Sequence, residues 1–133
     1  MRFLIDTNVL SEAGKKHPNP KVLNWLLSHE ASSRVPAVVL AERYKGAHIA
    51  PHTQRDKLLA ELDTLIAEAP ERILPFDLKA AKIWGEYTSS LRQRPKSYPD
   101  TQIAAIALAN NLIVVTRNTK DFPGVDTINP FED

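Results

Sequence analysis

The sequence predicts an α/β fold, a three-layer sandwich around a mainly parallel central sheet of short strands. Three observations carry that expectation. Short apolar, β-branched runs end abruptly at turn-forming residues. Segments with apolar residues at helical spacing lie between them. One late segment, Asp100 to Asn110, is apolar on most of its sides, which marks a buried helix.

Taken in order, Arg2 to Ile5 reads as a buried strand that stops at Asp6-Thr7-Asn8. Asn19-Pro20 is a helix start, Asn as cap and Pro in the first turn, with Val22, Leu23, Leu26 and Leu27 following at helical spacing. Ser33 to Pro36 is a second short strand, and 38 to 49 a helix. A further helix is expected over 53 to 68, where Leu58, Leu59, Leu62, Leu65 and Ile66 form one stripe. Arg72 to Leu74 is a candidate strand closed by Pro75. Asp77 caps a helix whose face carries Ala80, Ile83, Trp84, Tyr87 and Leu91. Arg92 to Pro99, basic and proline-containing, is expected to be an exposed loop. The buried helix then leads into Leu112 to Val115, a central strand. Arg117 to Gly124 forms a loop, and Asp126 to Ile128 an edge strand. Without repeats or a linker, residues 1–133 read as a single domain.

Composition narrows the chemistry. The chain has no cysteine, which removes disulfides, thiolate-bound zinc and a cysteine nucleophile. The N-terminus reaches Asp6 too soon for a secretory leader, and no apolar run approaches the roughly 18 residues that span a bilayer. A cytoplasmic protein without a membrane partner is expected. The 17 Lys and Arg nearly balance 16 Asp and Glu, a net charge of +1. Setting four acids aside in a metal site leaves 17 against 12, or +5, a weakly basic body around an acidic pocket.

Those four acids are Asp6, Glu42, Asp100 and Asp121. Ligands of such folds bind beyond the carboxyl ends of the strands. Asp6 and Asp121 follow the two most apolar strands, and Asp100 heads the buried helix. Glu42 lies on a partly apolar helix line with Val38, Gly46 and Ile49, where Gly46 would let another backbone approach. Converging carboxylates repel one another unless a hard cation such as Mg²⁺ joins them. Each acid also has an ordinary structural reading. Asp6 could cap a turn with Thr7 and Asn8, and Asp100 could complete a capping box with Ser97. Glu42 could pair with Lys45, and Asp121 could be a plain loop aspartate. Spacing does not choose between these readings.

At these positions the chain resembles the PIN-domain family, in particular the VapC/FitB-type toxins of toxin–antitoxin pairs. Segment 3–12, Phe-Leu-Ile-Asp-Thr-Asn-Val-Leu-Ser-Glu, looks like the family's first strand and acid. Val-Val-Leu-Ala-Glu-Arg-Tyr-Lys-Gly (38–46) resembles its helix acid followed by glycine. Pro-Asp-Thr-Gln-Ile-Ala-Ala-Ile-Ala (99–107) is similar to its third acid and buried helix. Val-Val-Thr-Arg-Asn-Thr-Lys-Asp-Phe (114–122) looks like its last strand and loop, and Asn129-Pro130-Phe131 stands near where the family often ends Asn-Pro-Trp. The matches run across essentially the whole chain. Arg43 departs by replacing a usual aliphatic residue, and Pro99 by replacing a small or sulfur-containing one; neither removes an acid.

The resemblance implies a PIN-like fold and an Mg²⁺-dependent endoribonuclease, with Mn²⁺ as an alternative ion. Water would attack the phosphodiester in line and leave a 5′-phosphate and a 3′-hydroxyl. Asp6 and Asp100 would ligate the metal directly, and Glu42 and Asp121 would complete the site. Asn8, Thr116 and Asn118 could supply supporting hydrogen bonds. Arg43, Lys45, Arg92, Arg94, Lys96, Arg117 and Lys120 could meet RNA phosphates with little sequence readout. His48 and His52 read as structural or surface groups, and the Trp25 and Trp84 stripes as core or interface. The resemblance also implies a VapB-like antitoxin whose tail covers the acids, and a homodimer for which the 53–68 helix face could serve. The rival reading is a catalytically inactive PIN-like module that binds RNA or protein. A receiver domain or a dehalogenase-like phosphatase would need an acidic pair or Asp-x-Asp after the first strand, and Asp6-Thr7-Asn8 supplies neither.

Overall fold

The computed structural model describes residues 1–91 and 98–132. Arg92, Arg94, Lys96 and Ser97, and with them most of the expected 92–99 loop, lie outside those residues. Five strands form one sheet: β1 (Phe3–Ile5), β2 (Ser33–Pro36), β3 (Ile73–Leu74), β4 (Ile113–Val115) and β5 (Thr127–Ile128). Their order is β3-β2-β1-β4-β5, and every pairing is parallel. β1 is central, with Phe3 opposite Ser33 on one side and Ile113 on the other. Six α-helices flank the sheet: α1 (Thr7–Leu10), α2 (Pro20–Ser28), α3 (Ala37–Ile49), α4 (His52–Glu68), α5 (Leu78–Ser90) and α6 (Tyr98–Asn110). The α/β sandwich expected from the pattern is therefore present.

Alternation along the strands divides the core. Leu4 and Val114, in register, face α5 and α6, where they meet Ala80, Ile103, Ile106, Ala107 and Phe122. Phe3, Ile5 and Val115 face the other way onto Val9 and Val22, with Trp25 edge-on to Phe3 at 5.0 Å. A third cluster, Leu40, Ala47 and Leu62, joins α3 to α4, and the Tyr44 hydroxyl bonds Asp63 across the same pair. Trp84 ties α5 to α6, its indole N–H donating to Thr101 Oγ1 at 3.0 Å. Among the described residues no helix is long and apolar enough to cross a membrane.

Helix ends follow local chemistry. Asn19 Oδ1 accepts the Lys21 N–H at 2.9 Å, and Asp77 Oδ1 accepts that of Ala80 at 2.9 Å. α6 closes with Asn111 in the left-handed region (φ 55°), which lets the Leu112 N–H reach back to the Ala107 carbonyl at 2.9 Å. Several element ends shift by a residue or two from the sequence pattern, and three differences have a clear local cause. The turn residues after Asp6 wind into α1, a single helical turn that carries Val9 into the core. Pro99 lies in the first turn of α6, where a missing N–H costs nothing, rather than in a loop. The 70–72 segment is a 3₁₀ turn, so β3 begins at Ile73.

Ile106 is fully buried, whereas Leu108, two residues on, is 37% exposed. Ile106→Ala should therefore cost about 2–5 kcal/mol of unfolding free energy. Leu108→Ala should cost about 0.5–1 kcal/mol, both read from urea unfolding. Equal losses would contradict the placement of α6.

Candidate active site

All strands run the same way, so their carboxyl ends share one edge. Helices returning between parallel strands run opposite to them and bring their first turns to that edge. Asp6 directly follows β1, and Thr116 directly follows β4. Asp100 sits in the first turn of α6, the helix feeding β4, and Asp121 in the 3₁₀ turn Thr119–Asp121 beyond it. Glu42 lies in α3, the helix that leaves β2.

Asp6 is almost fully buried, and it is the N-cap of α1, as its reading as a turn cap expects. Its Oδ1 accepts the Thr7 N–H at 2.7 Å. Its Oδ2 accepts the Thr116 hydroxyl at 2.8 Å and the Asn8 Nδ2 at 3.3 Å. Thr116 Oγ1 in turn accepts the Asn118 N–H at 3.1 Å and lies 3.4 Å from Asn8 Nδ2. Asn8 Oδ1 accepts the Arg117 N–H at 3.1 Å. Asn8 and Thr116 thus hold Asp6 with their side chains, while Asn118 contributes its backbone: its N–H to Thr116, and its carbonyl to the Asp121 N–H at 3.0 Å.

Glu42 is anchored by Thr7, whose hydroxyl donates to Oε1 at 3.0 Å. Here the helical-line expectation needs correction. Glu42 is exposed, Ile49 on the same line is 76% exposed, and no atom approaches within 4 Å of where a Cβ on Gly46 would sit. That face of α3 looks outward over a cleft rather than into the core. The cleft, about 450 Å³, is lined by Leu10, Glu42, Arg43, Leu58, Leu62 and Leu65 among others.

Burial holds the Asp6 carboxyl above the usual range. The hydrogen bonds from Thr116 and Thr7 oppose that shift, and the charges of Glu42 and Asp121 add to it. The structure therefore brings Asp6, Glu42 and Asp121 within electrostatic reach of one another. Asp100 is placed at the same edge by the direction of α6 and is half-buried there. The acids present an all-oxygen donor set of the kind that suits Mg²⁺, Ca²⁺ or Mn²⁺. Among the described residues no three Asp, Glu or His side chains are gathered closely enough to hold a metal ion as they stand.

Two contributors had no signal in the spacing. Thr7 appeared only as a turn former beside Asp6. Glu12 is buried, with Oε1 accepting the Asn19 N–H at 2.8 Å and Oε2 ion-paired to Lys15 at 2.9 Å. The Lys15 ammonium, then the Asn19 N–H, hold its carboxyl below the usual range. Arg43 is half-buried against the cleft, and Lys45, Arg117 and Lys120 are exposed.

Fold and site together define a class: an all-parallel α/β protein with an acidic, oxygen-donor site at the carboxyl edge of its sheet. A PIN domain family model matches residues 3–127, and the chain belongs to that family. It is 35% identical to the plasmid stability protein StbB of Pseudomonas syringae pv. tomato, covering 98% of this chain and 99% of that one. Identity is 34% to the VapC ribonuclease Y4jK of Sinorhizobium fredii, over 98% of both. It is 32% to the toxin FitB of Neisseria gonorrhoeae, over 98% of this chain and 99% of FitB. The crystal structure of gonococcal FitAcB superposes with a TM-score of 0.88 at 31% identity, covering 98% and 99% of the two chains.

Because the folded protein binds the Asp6 proton more tightly than the unfolded chain, Asp6 weakens the metal-free fold as pH rises through its elevated pKa. Asn keeps the capping role without the charge. Asp6→Asn should thus raise the melting temperature in EDTA at pH 7 by about 2–5 °C. The gain should shrink as pH falls toward 4. A lowered melting temperature at pH 7 would show that the carboxylate is stabilising as it stands.

Proposed function

We propose that this protein is an Mg²⁺-dependent endoribonuclease and the toxin of a VapBC-type toxin–antitoxin pair. The observation that carries the reading is the buried Asp6, fixed by three donors yet raised in proton affinity by burial, Glu42 and Asp121. A site that concentrates negative charge in place is one that gains most from a cation. The names of the relatives, a VapC ribonuclease and a toxin, point to the same chemistry.

Asp6 and Asp100 would hold the ion, with Glu42 and Asp121 meeting its waters. When bound, it would lower the pKa of water and offset charge developing on the phosphate. Thr116 and Asn8 keep Asp6 in one orientation, and Thr7 does the same for Glu42. Asp121, in the turn closed by its N–H on the Asn118 carbonyl, would help to orient the attacking water.

The cleft beside Glu42 and Arg43 continues past Leu10 and Leu65 into a second of about 460 Å³, lined by Leu26, Leu27, Val35 and Ile73 among others. An amphipathic antitoxin tail would cover this apolar track and bring a basic residue to the acids. The outward face of α4, by contrast, is mostly polar (Gln54, Asp56, Lys57, Glu61, Thr64), which gives a homodimer little apolar area there. A dimer remains part of the proposal, with light scattering of the isolated chain as its test.

Purified protein should cut RNA with Mg²⁺ and lose at least 100-fold of that activity in EDTA, as Asp6→Asn or as Asp100→Asn. Mg²⁺ should raise the melting temperature of the wild type but not of Asp6→Asn. Undiminished cutting in EDTA would remove the metal from the mechanism. A folded protein that binds RNA yet never cuts it would favour the inactive module instead.

A further inference from the structure

Arg117 directly follows Thr116, the residue that grips Asp6, and is fastened from several sides. Its N–H is held by Asn8 Oδ1 at 3.1 Å, the same carboxamide that bonds Asp6. Its carbonyl accepts Asn129 Nδ2 at 3.3 Å. The other end of the Asn129 carboxamide accepts the Phe131 N–H at 2.9 Å. Phe131 is thereby set under the side chain, and the guanidinium carbon of Arg117 lies 4.5 Å from the centre of its ring. A cation over an aromatic face is attracted by the ring's quadrupole and gives up little of its hydrogen-bonding edge. Asn129 thus serves both halves of the pair.

The charge remains available. The Glu12 carboxylate senses Arg117, but its oxygens are taken by the Asn19 N–H and the Lys15 ammonium. Arg117 itself is exposed at the carboxyl edge of the sheet, one residue from the group that orients Asp6. A pre-ordered, outward guanidinium beside an acidic site repels nothing that a polyanion brings and offers it a planar fork.

We propose that Phe131 is a positioning residue that presets Arg117 to take a backbone phosphate of single-stranded RNA next to the acidic site. The inference rests on the ribonuclease reading for its substrate, and adds to it a named contact and the ring that aims it. A single exposed cation meets a backbone phosphate rather than base edges, and an unpaired strand is sufficient to present that phosphate.

The test uses a fluorescent single-stranded oligoribonucleotide and five proteins: wild type, Arg117→Ala, Phe131→Ala, Phe131→Trp and the double alanine variant. Binding is followed by anisotropy in EDTA, cleavage by kcat and KM with Mg²⁺, and folding by circular dichroism. Arg117→Ala should raise Kd and KM by about 5–20-fold with little change in kcat, and flatten the salt dependence of log Kd by about 0.7. Phe131→Ala should raise both by about 2–5-fold, and Phe131→Trp should restore them. In the Arg117→Ala background, Phe131→Ala should add nothing further. A Phe131 effect that persists in full without Arg117 would overturn the positioning role. An unchanged salt slope in Arg117→Ala would overturn the phosphate contact. Equal loss of affinity for polyglutamate would also overturn it, in favour of an acidic protein partner. A wild type that binds the oligonucleotide through Arg117 but cannot cut it would refute the ribonuclease reading while leaving this contact standing.

Discussion

The carboxylate of Asp6 is kept out of water and among like charges, and the rest of the site is arranged around that conflict. Burial alone would neutralise it by raising its proton affinity. Three donors on two oxygens work against that, yet none of them carries a positive charge. The group is oriented without being neutralised. A Lys or Arg in place of Thr116 would give the carboxylate a countercharge. Neutral donors fix its geometry and supply none.

This constraint explains the use made of the strand ends. β1 and β4 are neighbours in register, so the residues that follow them, Asp6 and Thr116, emerge side by side. The Asp6 N–H bonds the Val115 carbonyl at 3.0 Å, which carries the sheet ladder to the base of the site. Residues placed by a ladder buried on both faces inherit its rigidity. Loop residues would not hold a buried carboxylate against its neighbours so firmly. The cost falls on stability, as in other sites that collect unfavourable charge.

What the sequence made legible was whatever short-range chemistry decides. The Asn19-Pro20 start of α2, the Asp77 cap of α5 and the all-round apolar α6 could be read because caps and periodicity act within one or two turns. The four acids could be picked out through their order and the resemblance. The pattern puts Glu42 on the correct helix but the wrong face, because a line holding Val38 and Ile49 looks apolar although Ile49 lies in solvent. The hydroxyl of Thr7 reaches Glu42 across 35 positions, and Thr116 reaches Asp6 across 110. No local pattern encodes contacts of that span. They follow from which strands lie side by side, a property of the whole sheet.

The same logic brings Asn129 and Phe131 to the rim of the site. β5 is an edge strand, only two residues long, and the Thr116 N–H bonds the Ile128 carbonyl at 2.9 Å. That bond sets Asn129 and Phe131 level with the residues following β4. A two-residue strand at an edge contributes little stability of its own, so its pairing is better understood as a means of delivery. It carries an amide and an aromatic ring to the residue after Thr116. Asp6 is thus oriented from one side of Thr116 and Arg117 from the other, by contacts that share Asn8. An acidic centre and a cationic rim fixed to one framework can keep their spacing when a polyanion binds. Held on independent loops, the two would have no shared framework to keep that spacing.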